Sequence, residues 1–305
     1  MKGIIKLLLP LLLLSACSLA AQKDEESPLT YEIGSFNITV LPEGAGQGNT
    51  DILIGATPEM LAQCLPEGTY TNAINAFLIE TDDKAILVDA GLGKKLFANL
   101  EACKKSPESI DAILLTHMHG DHIGGLLQDD KKSFPNATLY ISQPEHDYWM
   151  NDEIMQSLPE NNRGGFTQAR KVIEAYQNNL QLFIPDELEG AATDVLPGIR
   201  GIAAYGHTPG HTVYLLESDN SQLMVWGDLT HVMPIQMDYP QVAVTYDVNP
   251  TQAIESRQQI LQYLADNKID IAGMHIQYPG IGKVSKNKSG GYIFKLTCDC
   301  EGMVR

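Results

Sequence analysis

The sequence predicts an α/β protein built as a four-layer αββα sandwich, with two half-sheets face to face and helices on their outer sides. Three observations predict it. The chain has 305 residues, 44% of them hydrophobic, enough for one large core or two small ones. Short apolar runs come first, helical patterns follow, and the order then returns. Residues able to bind metal fall just after the apolar runs, where rigid strand ends pass into loops that can aim side chains at one cleft.

Residues 31–40 and 52–54 read as opening strands. Thr57-Pro58-Glu59 is a helix-start signal for a short helix ending near Cys64. Two apolar runs, 76–80 and 85–89, flank Thr81-Asp82-Asp83-Lys84, a hairpin signal. A helix is expected over 94–103. Residues 113–116 form a short buried strand that runs directly into His117. A strand over 138–142 and a helix opening over 144–150 come next. Residues 166–178 have the period of an amphipathic helix. A second hairpin is expected from 212–217 and 222–226, then a helix over 253–264. The strand over 269–274 ends at His275, and strand character resumes over 291–297.

The first residues stand apart from this fold. Lys2 and Lys6 precede an apolar run over 7–14, broken by Pro10. That run is too short to cross a bilayer as a helix, which needs about 20 residues, and reads as an export signal. Leu14-Ser15-Ala16-Cys17 resembles the bacterial lipobox, in which the cysteine becomes the lipid-modified first residue. Ordinary cleavage after Ala20 or Ala21 is the competing reading. The expected organisation is a signal segment over 1–16, a polar tether over 17–30 and one catalytic domain over 31–305. A lipid anchor on Cys17 would hold the domain at the bacterial membrane, facing the periplasm or the cell surface. Export permits disulfides among Cys64, Cys103, Cys298 and Cys300, but four cysteines allow three connectivities and the sequence does not choose. The formal net charge of −17 repels nucleic-acid phosphates, so no nucleic-acid partner is expected.

The chemistry concentrates in Thr116-His117-Met118-His119-Gly120-Asp121-His122, where three histidines and an aspartate lie within six residues. On an extended backbone His117 and His119 project to the same side. Gly120 lets the chain turn sharply, so that Asp121 and His122 can reach back. Imidazole and carboxylate together suit zinc and similar divalent metals.

This run resembles the HxHxDH signature of the metallo-β-lactamase superfamily. The remaining motifs resemble the family in the same order: Val88-Asp89-Ala90-Gly91, Gly206-His207-Thr208-Pro209-Gly210-His211, Gly227-Asp228 and Met274-His275. The resemblance implies the αββα fold and two divalent metal ions, usually zinc. His117, His119 and His207 would hold the first and Asp121, His122 and His275 the second, with Asp228 bridging both. Asp89 and His211 would support these ligands without binding metal. Histidine at 119, where related diiron flavoprotein oxidases carry glutamate, argues for hydrolysis over redox chemistry.

Several further runs resemble methyl parathion hydrolase and its relatives: Asn75-Ala76-Phe77-Leu78-Ile79, Glu145-His146-Asp147-Tyr148-Trp149, Asp247-Val248-Asn249-Pro250 with Arg257, and Tyr278-Pro279-Gly280-Ile281-Gly282. The implied activity is hydrolysis of an ester-like bond in a small molecule: a lactone or aryl ester, with phosphotriesters as a side activity. Asp121, Asp228 and His231 are the expected catalytic residues. His231 stands where acyl-homoserine lactonases carry a tyrosine, and would either donate to a leaving oxygen or orient Asp228. Trp149, Met233, Ile235 and Tyr278 are candidates for an apolar pocket wall or for plain core, and His146 for a surface or supporting role. A homodimer is compatible with this reading. The rival readings are a thioesterase of the glyoxalase II type and a catalytically silent binding lipoprotein.

Overall fold

Two seven-stranded sheets carry the architecture in the computed structural model, which describes residues 28–297. Cys17, the expected signal segment, nearly all of the tether, Cys298 and Cys300 lie outside the described residues. The first sheet contains β1 (Leu29–Ile33), β2 (Phe36–Asn49), β3 (Thr69–Glu80), β4 (Ala85–Val88), β5 (Ala112–Leu114), β6 (Thr138–Ser142) and β7 (Leu180–Phe183), side by side in chain order. The second contains β8 (Asp194–Leu196), β9 (Ile199–Ala203), β10 (Thr212–Ser218), β11 (Ser221–Val225), β12 (Asp270–Ala272), β13 (Ile281–Lys286) and β14 (Tyr292–Leu296), again in chain order. Each sheet begins as an antiparallel meander and turns parallel where a crossover intervenes, at β4–β5 and at β11–β12.

Eight α-helices are described: α1 (Pro58–Cys64), α2 (Leu96–Ala102), α3 (Gly120–Ile123), α4 (Gln143–Trp149), α5 (Asp152–Ser157), α6 (Gly164–Tyr176), α7 (Met233–Gln236) and α8 (Pro250–Asn267). Thr57 caps α1 and Asn249 caps α8, each with proline at the first helical position, where its missing N–H costs nothing. None of the described helices is long and apolar enough to cross a membrane.

Strand alternation builds the layers. In β3, Phe77 and Ile79 point into the core between the sheets, against Tyr214, Leu216 and Val225. Leu78 points the other way, into a core shared with Leu100 of α2 and with Phe166, Val172 and Tyr176 of α6. On the far side, Val213, Leu215 and Met224 meet Ile260, Leu261 and Leu264 of α8. Each fully buried side chain of this size contributes about 1.5–3 kcal/mol. Three stacked cores between four layers are the expected αββα sandwich.

The opening strand differs from its expectation. Residues 31–40 are two strands, because Gly34 turns the chain at φ +56°, where a Cβ would come within 2.5 Å of Ser218 Oγ. β1 also begins at Leu29, inside the segment expected to be tether. Strands β7, β8, β9 and β13 were not anticipated. Among the described residues Cys64 and Cys103 form no disulfide.

Candidate metal centre

The site gathers where strands end. Buried β5 stops at Leu114, and Thr116 is then fastened to Asp89, whose carboxylate accepts from the Thr116 amide at 2.8 Å and its hydroxyl at 2.7 Å. Asp89 itself sits at φ +58°, in the left-handed region that aspartate tolerates better than most residues. The anchored chain runs through His117 and His119 into α3, whose single turn brings Asp121 and His122 inward. His207 follows β9, Asp228 follows β11 and His275 follows β12.

The seven expected metal positions converge. His119 Nδ1 lies 3.0 Å from His117 Nε2 and 2.9 Å from His207 Nε2. A ring nitrogen has one proton or one lone pair in its plane, so these two contacts on Nδ1 cannot both be hydrogen bonds; the three nitrogens are ligand atoms aimed at one point. Asp228 Oδ2 lies 3.2 Å from His207 Nε2 and 3.2 Å from His275 Nε2. Its Oδ1 lies 3.0 Å from His122 Nε2. Asp121 completes the other side, 3.8 Å from His122 and 3.7 Å from His275. The set His117, His119, His207 and Asp228 and the set Asp121, His122 and His275 each place their donor atoms within 4.8 Å of one another. Asp228 stands between them.

A surrounding layer of hydrogen bonds sets which ring nitrogen faces the centre. His122 Nδ1 donates to Asp89 at 2.6 Å, His207 Nδ1 to Asp247 at 2.9 Å and His275 Nδ1 to the Ala73 carbonyl at 2.8 Å. Each bond turns the Nε2 lone pair inward, as a metal ligand requires. His211 does not face the centre. It donates through Nδ1 to the Ala204 carbonyl and accepts the Asp228 amide at Nε2, both at 2.9 Å, so it holds the backbone of Asp228.

The donor chemistry fits divalent cations. Burial holds the His117 imidazole well below its ordinary value, and pushes His119 down to about 3. Burial opposes the charge on Asp228, yet the histidines around it, His122 foremost, hold its carboxyl well below the usual range. Against burial, Asp228 and Asp89 drive His122 well above its ordinary value. The pocket thus calls for positive charge beside its carboxylates. His122 Nε2 and Asp228 Oδ1, although 3.0 Å apart, are buried and make no well-formed hydrogen bond among the described residues, which costs stability unless a cation lies between them.

His231 is drawn into the same cluster. Its Nε2 lies 2.9 Å from Asp228 Oδ2, and its ring stacks on His275 with centroids 4.9 Å apart. Met233 and Tyr278 line a cavity of about 670 Å³ that also touches His275. Ile235 and Trp149 are core: Ile235 packs with Leu65 and Val232, and Trp149 donates its indole N–H to Glu145 at 2.6 Å. His146 is partly exposed beside Asp147. The sequence reading assigned no role to Asp247 or Arg257, and overlooked Tyr70, Asn72 and Tyr246, which line the metal pocket of about 370 Å³. Arg257 is fully buried and donates to the carbonyls of Leu229, Pro240 and Val242, tying the chain after Asp228 to α8. The signal for Asp247 and Arg257 was already present in the run 247–250 and its spacing from Arg257.

Comparison with known proteins agrees with this geometry. The profile of the metallo-beta-lactamase superfamily matches residues 69–272, more than half of the chain. The chain therefore belongs to the metallo-beta-lactamase superfamily, in the class of metal-dependent hydrolases. Its fold is similar to that of AbOPH, a hydrolase of the beta-lactamase superfamily, with TM-score 0.82, 28% identity and coverage of 90% of this chain and 98% of that one. It is also similar to AidC, a dizinc quorum-quenching lactonase, with TM-score 0.81, 26% identity and coverage of 92% and 99%. A stretch of 53 residues is 53% identical to the exodeoxyribonuclease WalJ of Streptococcus pneumoniae, covering 17% of this chain and only 20% of that protein.

Proposed function

We propose that this protein hydrolyses an ester-like bond in a small molecule, a lactone or an aryl ester, with phosphotriesters as a side activity. The single observation that carries the reading is the convergence of His117, His119, Asp121, His122, His207, Asp228 and His275 on one pocket. Its similarity over nearly the whole length of a dizinc lactonase and of a hydrolase supports the same class.

His117, His119 and His207 would hold one divalent ion, and Asp121, His122 and His275 a second, with Asp228 shared. Two such ions supply Lewis-acid activation of water and of the scissile bond when bound. The chain's own residues do the rest. Asp89, Asp247 and the Ala73 carbonyl fix the ring orientations of His122, His207 and His275. His211 fixes the backbone of Asp228. Tyr70 and Tyr246 line the pocket. His231 Nε2 lies 2.9 Å from Asp228 Oδ2, so it orients that carboxylate; the same N–H is the proton we assign to a departing oxygen. The proposed anchor on Cys17 would place this chemistry at a membrane outside the cytoplasm without the domain itself touching lipid.

A panel of acyl-homoserine lactones, aryl esters, a glutathione thioester and an aryl phosphotriester, assayed on zinc- or manganese-loaded protein, tests the proposal. Turnover of lactones or aryl esters that is abolished by chelation is expected. Turnover of the thioester alone would replace it with the glyoxalase II reading, and no turnover with the binding-protein reading.

A further inference from the structure

Glu145 is a buried carboxylate with, among the described residues, no cation paired with it, and it has no place among the metal donors. Only 1% of it is exposed. It projects from α4, and its two oxygens take four donors, one from α4 itself and three from two separate segments. Oε1 accepts from the Met118 amide at 2.9 Å and from the Trp149 indole at 2.6 Å. Oε2 accepts from the Thr208 hydroxyl at 2.5 Å and from the Gly210 amide at 3.1 Å. Met118 lies between His117 and His119, while Thr208 follows His207. Trp149 sets its ring edge-on against His119, with centroids 5.8 Å apart. Ser142, which caps α4, donates to the Gly210 carbonyl at 2.7 Å, and a Cβ on Gly210 would fall 2.0 Å from the Glu145 nitrogen. The two segments are therefore pressed onto one helix end.

We infer that Glu145 is the positioning residue that holds His117, His119 and His207 in register as one metal-binding set, leaving Asp121, His122 and His275 to their own supports. The two sets are supported differently. Asp89 holds His122, and Ala73 holds His275, from the first sheet; Glu145 reaches neither. A carboxylate is required because all four of its partners are donors. In Glu145→Gln one oxygen becomes an NH₂ group, so whichever way the amide turns, two donors face a donor. The Thr208 hydroxyl can rotate to accept; the Gly210, Met118 and Trp149 N–H groups cannot.

The inference rests on the two-metal reading, and the test separates them. Zinc is titrated into metal-stripped protein in competition with a chromophoric chelator, giving two stepwise dissociation constants for the unaltered chain. His207→Ala and His275→Ala identify which constant belongs to which set. Glu145→Gln is expected to weaken the His207 constant by roughly tenfold or more, within the range for residues that orient ligands, and to leave the His275 constant within about twofold. Thr208→Val removes one of the four bonds and should shift the same constant in the same direction by less; it carries the test if Glu145→Gln is insoluble. A buried residue that served stability alone would move both constants together or neither, and either result overturns the assignment. An unaltered chain that binds fewer than two zinc ions overturns the two-metal reading itself.

Discussion

Asp89→Asn tests how the protein chooses the nitrogen that His122 presents to the centre. Asp89 is wholly buried, and His122 Nδ1 donates to it at 2.6 Å. Asparagine keeps the shape and one acceptor. If its oxygen stays on the Thr116 amide, its NH₂ group faces His122 Nδ1, which must then carry the lone pair. The proton moves to Nε2, and the lone pair that should face the metal is lost. In the metal-free protein, where Asp89 and Asp228 raise His122, the substitution breaks a buried charged pair. Breaking such a pair costs about 3–5 kcal/mol. Metal affinity at the Asp121–His122–His275 set should fall roughly 10–100-fold as well. Urea unfolding of the metal-stripped chain measures the first effect and zinc competition the second. A variant within about 0.5 kcal/mol of the parent, the size of an ordinary surface change, and with unchanged zinc affinity would refute the tautomer argument.

Asp228→Ala should nearly abolish turnover and lower metal content, because one carboxylate touches both donor sets; steady-state kinetics with elemental analysis reads both. His231→Ala should cost lactone opening roughly 10²–10⁴-fold if its N–H assists the departing alkoxide, while nitrophenyl esters, whose leaving group needs little help, are nearly spared; equal losses with reduced metal would mean that His231 only steadies Asp228. Metal-stripped protein should be most stable near pH 6.5. Burial pushes His211 down to about 3, so below 6.5 the unfolded chain takes up a proton that the fold refuses and stability falls as pH drops. Against burial, Asp228 and Asp247 push His207 up to about 9, so stability falls again as pH rises from 6.5 through about 9. Urea midpoints that rise steadily from pH 5.5 to 8.5 would contradict this. Mass spectrometry of the mature protein should find acylated Cys17; an unmodified N-terminus at Ala21 or Gln22 would remove the anchor.

Local signals made much of this molecule legible. The apolar run before His117, the spacing of the three histidines around Gly120 and the glycine before Asp228 are each local in sequence, and the structure places them as strand, turn and strand end. The helix over 166–178 was readable because Phe166, Ala169, Val172, Ile173 and Tyr176 share one face. What remained hidden depends on distance along the chain. Nothing near Asp247 reveals that its partner is His207, 40 residues earlier. Nothing near Glu145 reveals Met118 or Gly210. Strand β9 escaped because Arg200 and Gly201 interrupt its apolar pattern; Arg200 is nonetheless buried, paired at 3.4 Å with Asp186, whose backbone bridges to the same strand. Trp149 and Ile235 stayed open between pocket wall and core in the sequence, because a buried apolar side chain and one lining a pocket look alike until the backbone is placed; the structure makes both core.

The central claim is a centre for two metal ions, and their number per chain tests it most directly. Protein purified without chelator, or reconstituted with zinc or manganese, should contain close to two ions per chain by elemental analysis, with activity rising as the second is filled. A ratio of one or below, unchanged after adding either metal, would contradict the account.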